Sequence, residues 1–280
     1  MKKVFLSIVA IIIFAGLVKS QTDTMYIMKN GVIAGKYHVN NQIDSIIFYK
    51  PTGATSTVGG STVVDIDGNT YPVVTIGTQV WIAKNLATTR YTDGTSVTYV
   101  SDNTTWTTTT APALSWYNND VANKATYGGL YNWYAVDMAS NGNKNICPTG
   151  WHVPSDAEWT TMENYLIANG YNYDGTTTGN KIGKAMATAT GWTSYTGTGT
   201  IGNTDYPSYQ NKSGFSALPG GYRQLSSGTF LNAGITGGFW SSTQYGATSA
   251  WDRYLSCINA YSYRNDGSKR GGFSVRCTKD

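Results

Sequence analysis

The sequence is short of charge, of acids and of the side chains that carry most hydrolytic and redox chemistry. Charged residues make up 13% of the chain, against about 25% in ordinary globular proteins. Its surface must therefore be solvated by hydroxyls and amides, which abundant Gly, Thr, Asn and Tyr supply. There are two glutamates, two histidines and three cysteines. Glu158 and Glu163 stand five positions apart on one expected helix, where they diverge, so the facing carboxylate pair of a glycoside hydrolase would have to come from aspartates. His38 and His152 fall in different modules, and no set of about four zinc ligands at suitable spacing can be assembled. A GxSxG nucleophile elbow and a phosphate loop are both missing. No metal, cofactor or catalytic residue is expected on these grounds.

What is present at the start is an address. In MKKVFLSIVAIIIFAGLVKSQ, Lys2 and Lys3 precede an apolar run from Val4 to Val18, and Ser20 offers a small residue for cleavage. This reads as a secretory signal peptide over 1–20. The run is shorter than the roughly 20 residues of a spanning helix, and no later segment is continuously apolar, so no transmembrane segment is expected in the mature chain. The expected location is secreted or cell-surface. Cleavage removes Lys2, Lys3 and Lys19, taking the formal charge from +4 to +1 (4 − 3), which makes nucleic acid a poor partner. In an oxidising compartment three cysteines allow one disulfide and an odd thiol.

Residues 21–50 read as a small β module: alternating runs broken at Asn30-Gly31 and Asn40-Asn41 predict two or three short strands. PTGATSTVGGST carries no apolar pattern and is expected to be a flexible linker over 51–63. From 64 to 280 the pattern is one large α+β domain. It opens with a meander whose turns fall at Asp67-Gly68 and Ile76-Gly77-Thr78. Asp65, Asp67 and Asn69 alternate as calcium ligands do, but a calcium loop would close on an acid where Ile76 stands, and a hairpin turn is the simpler reading. Residues 91–123 read as irregular. Leu130, Trp133 or Tyr134, and Met138 at helical spacing predict a short helix within 127–139. Ser155 followed by Glu158 forms a capping box. Trp159, Met162 and Leu166 line one face of the helix it starts, and Asn169-Gly170 ends it. After a loop-rich stretch at 170–214, interrupted by a helix near 181–187, the remainder reads as antiparallel strands.

Taken in order, DIDGNTYPVVTIGTQVWIAKNL, GGLYNWYAV, CPTGWHVPSDAEW, GFSALPGGYR, GGFWSST and GFSVRCTKD resemble the Fibrobacter succinogenes major paralogous domain, a family of exported bacterial domains, over about 64–280. More distantly, HVPSDAEW and GGFSVRC resemble segments of the formylglycine-generating enzymes, which are elaborated C-type-lectin-like folds. The resemblance implies a C-type-lectin-like α+β domain with long irregular loops, preceded by the small β-hairpin module. It implies that Cys147 and Cys277 form the outer disulfide of that fold, leaving Cys257 unpaired or exchanging with Cys147. Against this stands a thiolate at Cys147 with His152 as its base. The enzyme's own activity does not carry over, because its two nearby C-terminal cysteines have no counterpart: Cys257 and Cys277 are twenty positions apart. The calcium triplets of sugar-binding C-type lectins are missing as well.

The aromatics then carry the functional expectation. Trp81, Trp151, Trp159, Trp240 and Phe273 sit in strand or helix patterns and are expected in the core. Trp106, Trp116, Tyr117, Trp192, Tyr195, Tyr206, Tyr209, Tyr245, Tyr261 and Tyr263 lie in or beside polar loops, where rings make amphipathic contact surfaces at low entropic cost. The chain is therefore expected to be a non-catalytic binding domain for a polysaccharide or a surface protein. The contact residues expected are Trp192, Tyr195, Tyr206, Tyr209, Tyr222, Arg223, Tyr245, Asp252, Tyr261, Tyr263 and Arg264. The rivals are an extracellular hydrolase or cysteine-dependent oxidase, and a structural subunit assembling through its hairpin.

Overall fold

The computed structural model of the protein describes residues 24–29, 32–38 and 62–280. The expected signal peptide and all but the end of the expected linker lie outside the described residues. The chain divides into two units, 1–54 and 55–280. In the first, β1 (Thr24–Lys29) and β2 (Val32–His38) pair antiparallel with Lys29 opposite Val32, and the register shifts between Ile27 and Met28. The turn expected at Asn30-Gly31 lies outside the described residues.

The second unit opens with the expected meander: β3 (Thr62–Val64), β4 (Thr70–Ile76) and β5 (Gln79–Ile82) pair antiparallel in sequence. The first of these begins within the last residues assigned to the linker. Asp65 and Asp67 are engaged inside the fold. Asp65 accepts from the backbone N–H groups of Asp67 and Asn69 (both 2.9 Å) and from Tyr71 Oη (2.5 Å), while Asp67 is bound by Arg90 (2.5 Å) and Thr89. Gly68 supplies the positive φ, +82°, that the turn needs.

The segment expected to be irregular contains β6 (Thr98–Tyr99), α1 (Asn103–Thr108), β7 (Ala113–Ser115) and the start of α2 (Ala122–Tyr127). The threonine-rich α1 has weak intrinsic helix propensity. It forms because the Asp102 side chain caps the Thr105 N–H (2.7 Å) and because Trp106 is completely buried. The short helix expected within 127–139 is present as a single turn, α3 (Trp133–Val136), preceded by a strand, β8 (Leu130–Tyr131). Asn132 breaks the run, capping Ala135 N–H at 3.2 Å while its amide binds Ala111 O. β9 (Trp151–His152) leads into α4 (Asp156–Ala168), which starts in the capping box Ser155–Glu158 and ends before Gly170 at φ +72°. α5 (Gly183–Met186) interrupts the loop-rich stretch.

Then come β10 (Gly220–Arg223), β11 (Phe230–Ala233), β12 (Thr236–Gln244), β13 (Ser249–Ser256), β14 (Tyr263–Ser268) and β15 (Thr278–Lys279). They build a five-stranded sheet ordered β11-β10-β12-β13-β14, while β15 inserts between β5 and β9 in a second five-stranded sheet, β3-β4-β5-β15-β9. The pairing is antiparallel except at β10–β12 and β6–β7. The main unit is a mixed α+β structure dominated by β sheet.

Period-two alternation in β12 and β13 splits the interior into two cores. Trp240 and Ala250 point into one, with Tyr71, Leu114, Tyr131, Trp133 and Val275. Phe239 and Leu255 point into the other, with Trp81, Trp159 and Phe215, where the Trp81 and Trp159 rings meet at 4.9 Å. Cys147 and Cys277 are joined by a disulfide spanning 130 residues and buried in the first core. Cys257 is free and buried, and burial raises its thiol pKa, so it has little thiolate character. Trp81, Trp151, Trp159 and Trp240 are buried as expected, and Phe273 is partly buried against the core.

Buried cations tie the irregular segments down. Arg276, fully enclosed, donates to Asn85 Oδ1 (2.8 Å) and to the carbonyls of Ile82 (3.0 Å), Phe215 (2.7 Å) and Ser216 (2.9 Å). Burial lowers its pKa to about 9. Lys184, also fully buried, reaches Asn203 O at 2.5 Å and Asp205 at 3.1 Å, pinning the 170–214 stretch.

Candidate functional site

Two of the expected contact residues are buried, and their buried surroundings explain why. Arg223 is 0% exposed. Its guanidinium donates to Gly228 O (2.7 Å), Val100 O, Ser101 O (3.0 Å) and Asn103 Oδ1 (3.0 Å), and lies 4.4 Å from the Trp106 ring. It is a strut between β10 and the α1 region, with its pKa lowered by burial to about 10. Asp252 is 1% exposed. It lies in mid-strand, too deep for direct ligand contact.

The aromatics of 170–214 do not converge on one surface. Trp192 packs against the second core and donates to Thr188 Oγ1 at 3.2 Å. Tyr206 leans on Tyr173 (4.9 Å), and Tyr209 lies under Lys212 (4.4 Å). Tyr195 is exposed beside Gly197. Trp106 and Trp116 are buried rather than displayed. Trp192 pins the loop to the core, while Tyr206 and Tyr209 pack on partners within the loop itself. A further cluster lies on the α4 side of the β13–β14 pair. There Arg264 stacks 3.4 Å over Trp251 and binds Asp156 through two nitrogens (2.8 and 2.9 Å), while Tyr245 meets Trp251 edge-on at 4.6 Å. Asp156 also holds Arg253 (2.8 Å), which reaches Glu163 at 3.1 Å. The guanidinium of Arg264 is thus committed to a helix–sheet tie.

On the opposite face of the same strands, the register assembles a row of rings. Gly221 pairs with Gly237, Gly238 with Tyr254, and Tyr254 with Tyr263. Residues side by side in paired strands point the same way, so Tyr222, Tyr254 and Tyr263 stand in a line across β10, β12, β13 and β14, with Gly238 as the gap. Phe273 lies over that glycine, where an added Cβ would meet its ring at 3.0 Å, and packs 6.0 Å from Tyr222. Tyr254 and Tyr263 stack face to face at 4.2 Å. Tyr263 Oη donates to Tyr261 Oη at 2.8 Å, and Tyr261 is 39% exposed. One step along the strands, Asp252 opposes Asn265, whose exposed amide donates to its carboxylate at 3.3 Å. Burial pushes the Asp252 carboxyl up to about 7, against the lowering effect of the Asn265 hydrogen bond. The face combines rings, hydroxyls and one amide, and its one acid is buried beneath it.

Three expected contact residues, Tyr222, Tyr261 and Tyr263, share this face. Tyr254 and Asn265 were not among those expected, although alternation along ATSAWDRYLS and YSYRND places them on the side of Asp252 and Tyr263. A second missed group joins the ends of the domain. His152 lies between Asp280 (Nδ1 to Oδ1, 2.6 Å) and Glu158 (Nε2 to Oε1, 2.8 Å). The capping carboxylate of Glu158 therefore also clamps the C-terminal strand. Among the described residues no three His, Cys, Asp or Glu side chains are grouped to hold a metal, and no helix is long and apolar enough to cross a membrane. A shallow depression of about 290 Å³, bordered by Tyr71, Lys84, Val121 and Lys124, contains none of the expected contact residues.

The profile of the Fibrobacter succinogenes major domain matches residues 74–279, most of the chain. The chain belongs to this family. The match begins within β4 and ends at the last residue of β15, so the whole β11-β10-β12-β13-β14 sheet, the disulfide and the tyrosine face fall inside the Fibrobacter succinogenes major domain, while β3 precedes it. No curated protein and no solved structure gives a significant match.

Proposed function

We propose that the protein is an exported, non-catalytic binding domain whose tyrosine face recognises a neutral polysaccharide. The single observation that carries this reading is the row Tyr222, Tyr254, Tyr263 and Tyr261 with Phe273 at its base. Neighbouring strands are about 4.8 Å apart, which puts the backbones of Tyr222 and Tyr254 roughly 10 Å from each other. That is comparable to a disaccharide unit of an extended chain. Aromatic rings with hydroxyl tips suit pyranoses, whose faces carry C–H groups and whose edges carry hydroxyls. The residues of the face, Tyr222, Tyr254, Tyr261, Tyr263 and Asn265, carry no charge, which favours an uncharged ligand over an acidic glycan or a charged protein patch. The signal-peptide pattern supports a place outside the cell. A C-type-lectin-like architecture accords with the family, with the disulfide from the residue group before α4 to the last strand, and with long loops on a small sheet.

The test is affinity gel electrophoresis in hydroxyethylcellulose and xylan. Tyr254→Ala and Tyr261→Ala should each weaken retardation about tenfold, or ~1.4 kcal/mol, with Tyr195→Ala as an unaffected control. Wild-type protein that no neutral polysaccharide retards would refute the reading, and capture of a surface protein lost in Tyr254→Ala would reassign the face.

A further inference from the structure

Asp252 is an anomaly in an otherwise well-satisfied sheet. A buried carboxylate is ordinarily given a cation or several N–H donors, because an under-satisfied one is costly. Asp252 has one side-chain donor, the Asn265 amide at 3.3 Å. The adjacent guanidinium, Arg253, points to the other side of the sheet and is taken by Glu163 and Asp156. The walls around the carboxylate are Trp240, Phe273 and the bare backbone of Gly267, where an added Cβ would lie 2.6 Å from Asp252 Oδ2. Nothing in this arrangement makes a charged group useful to the fold.

It does determine what the face presents. A carboxamide has a donor end and an acceptor end. With its nitrogen turned in to Asp252, Asn265 turns its oxygen out, on the same side of β14 as Tyr263. We infer that Asp252 is a positioning residue that fixes the Asn265 amide oxygen outward as an acceptor, so that the tyrosine face selects ligands placing a hydroxyl donor beside a stacked ring. This rests on the polysaccharide reading above. The titratable and charged groups around Asp252 are few: Arg253 favours its ionised form and Asp266 opposes it, while the Gly267 N–H also stabilises the anion. Its carboxyl titrates near neutrality, at about 7, chiefly because of burial. Once protonated, the carboxyl donates to Asn265 Oδ1, the amide reverses, and the outward group becomes a donor.

Retardation in hydroxyethylcellulose should therefore fall about five- to tenfold, the worth of one hydrogen bond, between pH 8.5 and pH 5.5 for the wild type. Asp252→Asn and Asn265→Ala should be weak and flat across that range, and the double variant no weaker than either single one. Asp252→Asn should also melt no lower than wild type, since a buried charge is removed, which separates lost positioning from lost folding. A second readout needs no polysaccharide. The side-chain amide ¹⁵N–¹H signals of Asn265, assigned by their disappearance in Asn265→Ala, should shift with a midpoint near pH 7 in the wild type and stay still in Asp252→Asn. Unshifted amide signals, or an Asp252→Asn protein with wild-type retardation and pH profile, would overturn the inference. If hydroxyethylcellulose fails to retard the wild type while the amide signals still titrate, the polysaccharide reading falls and the positioning role stands.

Discussion

Replacing both bridged cysteines, Cys147→Ala with Cys277→Ala, tests how the domain is held closed. The bridge spans 130 residues, and the chain-entropy relation for a loop of that size gives about 5 kcal/mol of stabilisation at 25 °C, acting through the unfolded chain. Both sulfurs are buried, so each alanine adds a small void worth up to about 1 kcal/mol. The folded structure should survive the change. Thr278 pairs with both Trp81 and His152, the Ile82 N–H binds Cys277 O (3.0 Å), and Arg276 holds the adjoining carbonyls, none of which needs the sulfur bond. For a domain of this size the loss corresponds to a Tm about 10–20 °C lower. Scanning calorimetry measures it, with near-ultraviolet circular dichroism confirming unchanged tertiary packing at 20 °C. A variant melting within 4 °C of the wild type would refute the loop-closure argument. So would ready alkylation of Cys147 in the native, unreduced protein, which would also revive the thiolate reading of that residue.

Two further outcomes follow from the geometry. Desolvation lowers the His152 pKa, but the hydrogen bonds its ring N–H groups donate to Asp280 and Glu158 outweigh it and the net shift is upward. A raised pKa contributes stability that is full below the unfolded value of about 6.5 and is lost as pH rises through the folded value. Melting curves from pH 5.5 to 9 at low salt should thus decline more steeply for the wild type than for His152→Ala, by less than about 1 kcal/mol, because the groups are partly exposed. Arg223→Ala should cost about 3 kcal/mol or more in urea denaturation, since it strands buried carbonyls and empties a site against Trp106, while any polysaccharide binding measured on the folded fraction is retained.

What could be read in the chain was local. Ser155 and Glu158 are three residues apart, and Trp159, Met162 and Leu166 share a helical face, so α4 was legible from its own sequence. Asp67-Gly68 announces its turn in the same way. Arg223 was misjudged because its acceptors at Val100 and Ser101 lie more than a hundred positions away. A positive charge next to Gly-Gly-Tyr looks like surface until those partners are in place. α1 was not legible because threonine disfavours helix, and the Asp102 cap together with the burial of Trp106 overrides that. The tyrosine face was half legible. Period two along β13 and β14 groups Tyr254 with Asp252 and Tyr263 with Asn265, but the alignment of Tyr222 with them depends on a parallel pairing through Gly221 and Gly237 that no local pattern signals.

The enclosed guanidiniums of Arg223 and Arg276 grip the long loops mainly by main-chain carbonyls, with one asparagine side chain each, Asn103 and Asn85. Every amino acid supplies that oxygen, so the anchor is indifferent to which side chain the gripped position bears. Loops at 99–102 and 214–217 can exchange their outward residues and keep the same path through space, whereas Asn103, gripped through its own amide oxygen, cannot. A scaffold fastened in this way can be repainted with new contact chemistry without being rebuilt, as long as the two arginines stay.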